Sequence, residues 1–304
     1  MKIIYEPYST EKCVATVGFF DGVHAGHHFL IEELKTIAQQ KNLPAVVFTF
    51  AVHPRKVLHA DYQPQLLTTL DEKLVQLAST GIDVCVVLNF SEEMAKLSAY
   101  DFLKNILKDQ YQVETLLVGH DHRFGHNRSD GFEQYLQYGN EMGIEVLKAE
   151  RFSTAEHKHI SSSDIRHALQ TGDIHLANTI LTYNYSFSGK VVKGFEVGRK
   201  IGFPTANLEP VDEEKLIPAP GVYAVDVCHE GKILRGMMNI GVRPTLENGN
   251  HTSMEVHIFD FDADIYHQII EVRFLKKIRD EQKFASVEGL VEQLKADKIS
   301  ALSC

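Results

Sequence analysis

The chain has 304 residues, 44% of them hydrophobic, and a formal net charge of −10, a combination that predicts a globular protein of two domains. The acidic balance disfavours general binding to nucleic acid or to an anionic membrane, because both require a basic surface, but it permits a nucleotide in a local positive pocket. The first residues lack a signal-peptide stretch, no apolar run approaches membrane-spanning length, and the four cysteines are scattered. We therefore expect a cytoplasmic protein with reduced thiols.

The first part of the chain alternates strand-like and helix-like segments. Its strand-like runs are short, continuous and rich in valine and leucine, and they cover residues 14–20, 45–50, 84–88, 116–119 and 144–147. Helix-like patterns cover residues 27–40 and 69–79, and a third helix is predicted to open at Ser98. This alternation predicts an α/β fold with a doubly wound, Rossmann-like parallel sheet, whose ligands bind beyond the carboxyl ends of the strands.

After about residue 182 the pattern becomes rich in strands and is punctuated by glycine and proline. The predicted strands cover residues 185–192, 221–228, 234–240, 253–259 and 269–276, and a closing helix covers residues 287–296. Short strands without intervening helices predict a small antiparallel β-barrel. We place the domain boundary so that residues 1–182 form the first domain and residues 183–304 the second.

The most informative segment joins the first of these strands to its helix and reads Gly-Phe-Phe-Asp-Gly-Val-His-Ala-Gly-His from Gly18 to His27. Its glycines Gly22 and Gly26 let the backbone approach a ligand closely, and the helix that follows directs its positive end there. His24 and His27 can donate hydrogen bonds to phosphate oxygens. The segment therefore predicts a nucleotide-phosphate site suited to adenylyl transfer.

A second polar segment, residues 118–125, ends another predicted strand and mixes histidine, aspartate and arginine between glycines. Arg123 is a candidate phosphate ligand, and Asp121 is a candidate ligand of a ribose hydroxyl or a base. The histidines at positions 120, 122 and 126 leave a metal cluster as an alternative, for which no fourth ligand is evident.

Three further groups of polar residues are ambiguous by themselves. Ser162 and Arg166 stand at the start of a predicted helix, where they form either an anion site or a simple N-cap. Thr205 and Asn207 point the same way if their segment is extended, and their oxygens suit Mg²⁺, although a polar turn is the alternative. Glu255 is either a base at the mouth of the barrel or an exposed strand residue.

Nine segments together resemble one family over nearly the whole chain. The segments GFFDGVHAGHHFL, TFAVHP, VGHDHRFG and ISSSDIRHAL resemble the HxGH nucleotidyltransferases, specifically the FMN adenylyltransferase domain of bacterial bifunctional riboflavin kinase/FAD synthetases. The second domain resembles riboflavin kinase through GKVVKG, GRKIGFPTAN, PAPGVYAV, MNIGVRPT and MEVHIFDFDADIY, in the expected order. The sequence departs from the family pattern at Val52, His122 and His267, where proline, phenylalanine and glycine are usual.

The resemblance implies that the second domain makes FMN and ADP from riboflavin and ATP with Mg²⁺, and that the first makes FAD and pyrophosphate from FMN and ATP. It implies that His24, His27 and Arg166 act on the ATP phosphates, and that Glu255 is the general base for the riboflavin 5′-hydroxyl. The residues it places at ATP or its phosphates are Gly18, Phe20, Asp21, Gly22, Gly26, Asp121, Arg123, Ser162, Gly198, Thr205 and Asn207. Thr205 and Asn207 are the expected Mg²⁺ ligands, and the expected flavin contacts are Asp121, Phe124 and Arg279.

The expected partners are the small molecules riboflavin, FMN and ATP, without nucleic acid or membrane, and the chain is expected to be a monomer or a weak homo-oligomer. One alternative keeps a single activity, with the other domain binding or regulating. Another is an HxGH adenylyltransferase for pantetheine phosphate or nicotinate mononucleotide, which would not need Glu255 and the GFPTAN segment. A flavin-binding sensor is the non-enzymatic alternative, and it would need a basic patch or a DNA-reading helix that the sequence does not display.

Overall fold

The structure is a computed structural model that describes residues 1–5, 11–58, 61–120, 122–126, 129–153, 160–194, 197–245 and 249–304. The chain divides into two compact units, Met1–Ser162 and Ser163–Cys304. None of the helices in the described ranges combines the length and the apolar character that crossing a bilayer requires. None of the four cysteines, all of which are described, forms a disulfide.

The first unit is built on a six-stranded parallel sheet with the order β1-β4-β3-β2-β5-β6. Its strands are β1 (Lys2–Ile4), β2 (Cys13–Val17), β3 (Ala45–Phe50), β4 (Val84–Leu88), β5 (Val113–Val118) and β6 (Glu145–Lys148). The predicted Rossmann-like sheet is confirmed, with β1 as an additional edge strand that the sequence pattern did not indicate. Because the central strands are buried on both faces, they read as continuous apolar runs.

Helices cover both faces of this sheet. They are α1 (Ala25–Lys41), α2 (Pro54–Leu58), α3 (Leu70–Ser79), α4 (Glu92–Lys96), α5 (Ala99–Asp101), which continues as a π-helix over Phe102–Gln110, and α6 (Phe132–Met142). Alternate residues of β3 serve the two faces: Val47 packs with the cluster under α1 and α3, whereas Phe48 packs with the cluster under the π-helix and α6. The sheet is thus the central layer of three.

Two predicted helix starts are confirmed by their caps. Thr69 Oγ1 accepts a hydrogen bond from Glu72 N at 3.3 Å, and Glu72 Oε2 accepts one from Thr69 N at 2.9 Å. Ser98 Oγ accepts a hydrogen bond from Asp101 N at 3.0 Å. Each cap satisfies backbone donors that a helix leaves open at its first turn, which is why both helices begin where they do.

The second unit contains a closed barrel with the strand order β10-β11-β8-β7-β12-β9, and all its pairs are antiparallel. Its strands are β7 (Ser186–Val192), β8 (Ala206–Pro210), β9 (Gly221–His229), β10 (Lys232–Thr245), β11 (Gly249–Ile258) and β12 (Ile269–Arg279). The remaining helices are α7 (Ser162–Thr171), α8 (Ile174–Leu181), α9 (Val197–Lys200) and α10 (Val287–Leu302). The predicted barrel and its closing helix are confirmed, whereas β8 and α8 were not predicted.

A buried ion pair fixes the closing helix α10. The carboxylate of Asp297, only 1% exposed, accepts hydrogen bonds from Arg279 Nε at 3.0 Å and from Arg279 Nη2 at 2.8 Å. A buried charge is tolerated only where it is paired and hydrogen-bonded, so Arg279 holds α10 to the end of β12. The predicted flavin contact of Arg279 stays a prediction, since the structure shows its guanidinium engaged by Asp297.

Candidate active sites

The loop between β2 and α1 turns sharply to present two histidines. Phe20, Gly22 and Val23 have φ values of 55°, 81° and 38°, all in the left-handed region. A β-branched residue such as Val23 adopts this region only where the surroundings enforce it, and such strain is frequent at functional sites. The turn places His24 at the N-cap of α1 and His27 in the first helical turn.

His24 and His27 lie face to face, with ring centroids 3.7 Å apart and planes inclined by 18°. The ring of Phe20 contacts His27 edge-on at 5.1 Å, and a Cβ on Gly26 would lie 3.2 Å from His24 Cε1. His27 Nδ1 is buried without a hydrogen-bond partner among the described residues. Burial lowers the pKa of His27 well below the usual histidine value, and the charges of His24 and other nearby basic groups lower it further. The His27 ring is therefore neutral at physiological pH in the free protein.

Asp21, predicted at the phosphates, is turned into the protein. Its carboxylate is 3% exposed and accepts hydrogen bonds from Leu67 N and Thr68 N, both at 3.0 Å. Thr68 Oγ1 in turn accepts a hydrogen bond from Gly22 N at 3.0 Å, and Ser162 Oγ donates one to Asp21 O at 3.0 Å. The structure thus shows Asp21 and Ser162 as supports of the histidine loop, and their contacts with phosphate stay predictions.

A buried lysine supports the same loop from α3. Lys73 is 2% exposed, and its Nζ donates hydrogen bonds to Phe19 O at 3.1 Å and to Phe50 O at 2.9 Å. The ammonium also lies 4.1 Å from the centroid of the Phe19 ring. Burial lowers the pKa of Lys73 to about 8, although the charge of Asp21 acts in the opposite direction. Lys73 thereby joins the carboxyl ends of β2 and β3.

The second polar segment lines a cavity of about 200 Å³ with His120, His122 and Arg123, and Lys148 of β6 lines the same cavity. Phe124 stacks on the ring of Tyr135 with centroids 4.2 Å apart, and Tyr135 Oη bonds both backbone groups of Phe124. Asp121 lies outside the described residues. In the part of the chain that the structure describes, no group of three His, Cys, Asp or Glu side chains is placed to hold a metal ion.

The barrel carries the second candidate site, beside a cavity of about 450 Å³ that Arg199, Thr205 and Tyr266 help to line. Thr205 Oγ1 donates a hydrogen bond to Glu255 Oε2 at 3.4 Å. Asn207 on β8 pairs directly with Glu255 on β11. The structure therefore brings Thr205, Asn207 and Glu255 together, and their roles at ATP, Mg²⁺ and riboflavin stay predictions.

Two glycines make room for this cluster. A Cβ on Gly194 would overlap the side-chain amide of Asn207, and a Cβ on Gly198 would overlap the carbonyl oxygen of Phe203. Glycine is thus required where these backbones approach one another.

Arg166 lies in α7, one helical turn beyond Ser162, and belongs to the second unit.

Two family models match the chain, that of FAD synthetase over residues 6–164 and that of riboflavin kinase over residues 181–304. A curated relative from Escherichia coli strain K12, a bifunctional riboflavin kinase/FMN adenylyltransferase, is 40% identical over 292 residues, which are 96% of this chain and 92% of the relative. The chain belongs to the bifunctional riboflavin kinase/FMN adenylyltransferase family. Another member, from Bacillus subtilis strain 168, is 37% identical over 298 residues, covering 96% of this chain and 92% of the relative.

A solved structure also resembles this family member over 100% of both chains, with a TM-score of 0.91 and 33% identity. It is described as a macrolide-efflux protein from Streptococcus pneumoniae. That description concerns the other protein, whereas the family of this chain follows from the two family models and the curated relatives.

Lys73 is the site residue that the sequence reasoning missed in this family member. A signal was present, because Lys73 falls on the apolar face of its helix between Leu70 and Leu77, at a spacing where a leucine would be usual. Helical periodicity ranks such a position as core, and a lysine placed there has to find buried acceptors.

Replacing Lys73 should change how stability depends on pH. Lysine ordinarily has a pKa near 10.5, so a value of about 8 in the fold means that the charged form is disfavoured by about 3 kcal/mol. Below about pH 8 Lys73 is protonated in both the folded and the unfolded state, so the full free-energy cost of burying its charge is present. As the pH rises from about 8 to about 10.5, only the unfolded state keeps this proton, and the cost is lost.

We therefore expect the free energy of unfolding of the wild type, relative to Lys73→Met, to rise by about 3 kcal/mol between about pH 7 and about pH 10. The measurement is urea unfolding of the first unit within the full chain. The exposed Lys12→Met is the matched control, and its difference from the wild type should stay flat. A flat difference for Lys73→Met as well would contradict the expectation.

Proposed function

We propose that the two reactions of this family are divided between two sites of the chain, adenylyl transfer at His24 and His27 and riboflavin phosphorylation at Thr205, Asn207 and Glu255. The chain is a riboflavin kinase and an FMN adenylyltransferase, with riboflavin, FMN and ATP as substrates. The observation that carries the division is the clustering of both residue sets, each inside the range that the corresponding family model matches.

We place the functional boundary between residues 182 and 183. The similarity to FAD synthetase ends at residue 164 and that to riboflavin kinase starts at residue 181, so the helices α7 and α8 fall between them. These helices group with the barrel in the second compact unit. A boundary at 182/183 follows the change from alternating helices and strands to a strand-rich pattern in the sequence.

Adenylyl transfer needs donors for phosphate oxygens and no covalent intermediate. An oxygen of the FMN phosphate attacks the α-phosphorus of ATP, a new P–O bond forms, and the bond to the leaving pyrophosphate breaks. The neutral His27 ring donates one N–H, and the negative charge of a bound triphosphate favours its protonated form, which donates more strongly. With His24 it stabilises the charge that develops on pyrophosphate, whereas the role of Arg166 stays a prediction from the sequence.

Riboflavin phosphorylation needs a base and an electrostatic clamp. Glu255 accepts the proton of the riboflavin 5′-hydroxyl, whose oxygen attacks the γ-phosphorus while ADP leaves. Thr205 and Asn207 present a hydroxyl and an amide oxygen beside this carboxylate, a donor set of hard oxygens that fits Mg²⁺. Thr205 and Asn207 would hold the ion, which would supply charge neutralisation for the transferred phosphoryl group.

A cytoplasmic location, a monomeric or weakly associating state and the absence of a nucleic-acid partner stay predictions from the sequence. They enter none of the steps above.

A chromatographic time course with riboflavin, excess ATP and Mg²⁺ tests the division as a whole. We expect FMN to appear first and then to give way to FAD, because the product of one site is the substrate of the other. Accumulation of FMN without FAD would contradict the role of His24 and His27 in adenylyl transfer. Flavin binding without any product would favour a sensor instead.

The substitution His27→Ala should lower FAD formation from FMN by about 100-fold or more, the usual loss when a preorganised donor to developing charge is removed. Riboflavin phosphorylation should be unchanged. The neighbouring His28→Ala is the control, since His28 is half-buried on α1 and lies outside the stacked pair. Equal loss of both activities in His27→Ala would contradict the two-site division.

The substitution Glu255→Gln should have the reverse effect. Because a positioned base contributes roughly 100- to 10,000-fold, FMN formation should fall by that factor while conversion of FMN to FAD survives. Glu209→Gln, an exposed position on the neighbouring β8, serves as the control. Near-normal turnover of riboflavin by Glu255→Gln would show that another group is the base.

A further inference from the structure

His257 lies on β11 two residues after Glu255, and residues two apart on a strand project from the same face. Its Nδ1 is 2.7 Å from the carbonyl oxygen of Pro204. Glu255 Oε2 accepts its hydrogen bond from Thr205, the next residue of the same segment. Alternate residues of β11 therefore hold consecutive residues of the segment that lines the barrel cavity.

The backbone hydrogen bonds between β8 and β11 do not hold Pro204. The pairing of β8 with β11 consists of Asn207 with Glu255 and Ala206 with Val256, and it stops before Thr205. Proline has no N–H to donate, so only its carbonyl is available for a hydrogen bond. The contact from His257 extends the attachment of the segment by two residues beyond the ladder.

The His257 ring has little freedom to move. It is 8% exposed and lies edge-on between the rings of Phe203 and Phe259, with centroid distances of 5.3 and 5.5 Å. Because a carbonyl oxygen only accepts, His257 Nδ1 must carry the proton of this hydrogen bond. Burial lowers the pKa of His257, and Lys298 adds to this, whereas the bond to Pro204 and the charge of Asp260 raise it.

We propose that His257 is a positioning residue for riboflavin phosphorylation, which donates Nδ1–H to Pro204 O and thereby fixes the Thr205 hydroxyl against the Glu255 carboxylate. This inference rests on the kinase site described under Proposed function. His257 does not touch the reacting atoms in this role: it acts through Pro204. Its loss should misplace Thr205 relative to Glu255, and a displacement of about 1 Å at a reacting centre can lower the rate by about 100-fold.

Three substitutions separate the donor from the bulk of the ring. The amide nitrogen of His257→Asn takes nearly the place of Nδ1, the amide of His257→Gln reaches one methylene farther, and His257→Leu fills the site without a donor. We expect kcat for riboflavin phosphorylation to fall by about 10- to 100-fold in the Leu and Gln variants and by less than about 5-fold in Asn. KM for riboflavin should change much less than kcat.

Thermal midpoints and FMN adenylylation are measured on the same full-length variants. Adenylylation should be unchanged in all three, and His229→Leu, at the half-buried end of β9, should leave the kinase unchanged too. If the Leu and Gln variants melt earlier but keep kcat, His257 only packs and the proposal is overturned. Equal loss of kcat in Asn, Gln and Leu would overturn it as well, since the donor would then be irrelevant.

The Gln variant keeps the test decisive if the Leu variant fails to fold, because it preserves a polar side chain of similar length. Glu255→Gln in the same assay separates this inference from the proposed kinase site. Unchanged riboflavin phosphorylation in Glu255→Gln would contradict the proposed kinase site. Loss of phosphorylation in Glu255→Gln together with full activity in His257→Gln would contradict only the role of His257.

Discussion

The buried carboxylate of Asp21 holds the backbone of Leu67 and Thr68, and the loop that presents the stacked histidines depends on this contact. Phe20 and Val23 of this loop have left-handed φ values that are unfavourable for their side chains, and buried charge-assisted hydrogen bonds offset this cost. Lys73 acts from the other side by fixing the carbonyl groups of Phe19 and Phe50. Lys73 thus replaces hydrogen bonds that strands β2 and β3 lose where they end, and Asp21 satisfies the backbone donors of Leu67 and Thr68.

In the barrel, the neutral imidazole ring of His257 provides the hydrogen bond that holds irregular backbone in place. There the segment from Phe203 to Asn207 runs beyond its ladder, and His257 and Glu255 provide the partners that a proline-containing backbone cannot. Glycines at positions 194 and 198 allow the close approach from the opposite side. In each unit at least one chemistry-bearing residue, His24 in the first and Thr205 in the second, stands on irregular backbone, and buried polar side chains from neighbouring regular elements help to determine its position.

The sequence predicted those elements whose pattern is local. Continuous apolar runs identified β3 and β4 to the residue, since both strands are buried on both faces. The three-residue β1 has exposed residues and little pattern, and β8 follows Pro204 closely and ends at Pro210, and prolines argue against a strand. A 3.6-residue period gives no signal for the π-helix over Phe102–Gln110. The sequence analysis missed Lys73 and His257 for the same reason. Their hydrogen-bond partners are backbone carbonyl groups distant in the chain, and no sequence motif indicates such partners. The glycine usual at position 267 has a visible cause, because His267 takes a φ of 67°.

If the proposed function holds, the histidine pair gives an acidic protein a local site for polyphosphate. With a net charge of −10 the long-range field repels ATP and FMN, so their binding relies on local donors. Two imidazolium rings with centroids 3.7 Å apart would repel each other strongly in a site that also contains the buried Lys73. A neutral His27 removes that repulsion from the free protein. We expect the proton that strengthens its hydrogen bond to be acquired together with the phosphate, whose charge offsets the burial of the cation, so that His27 is charged only while the site is filled.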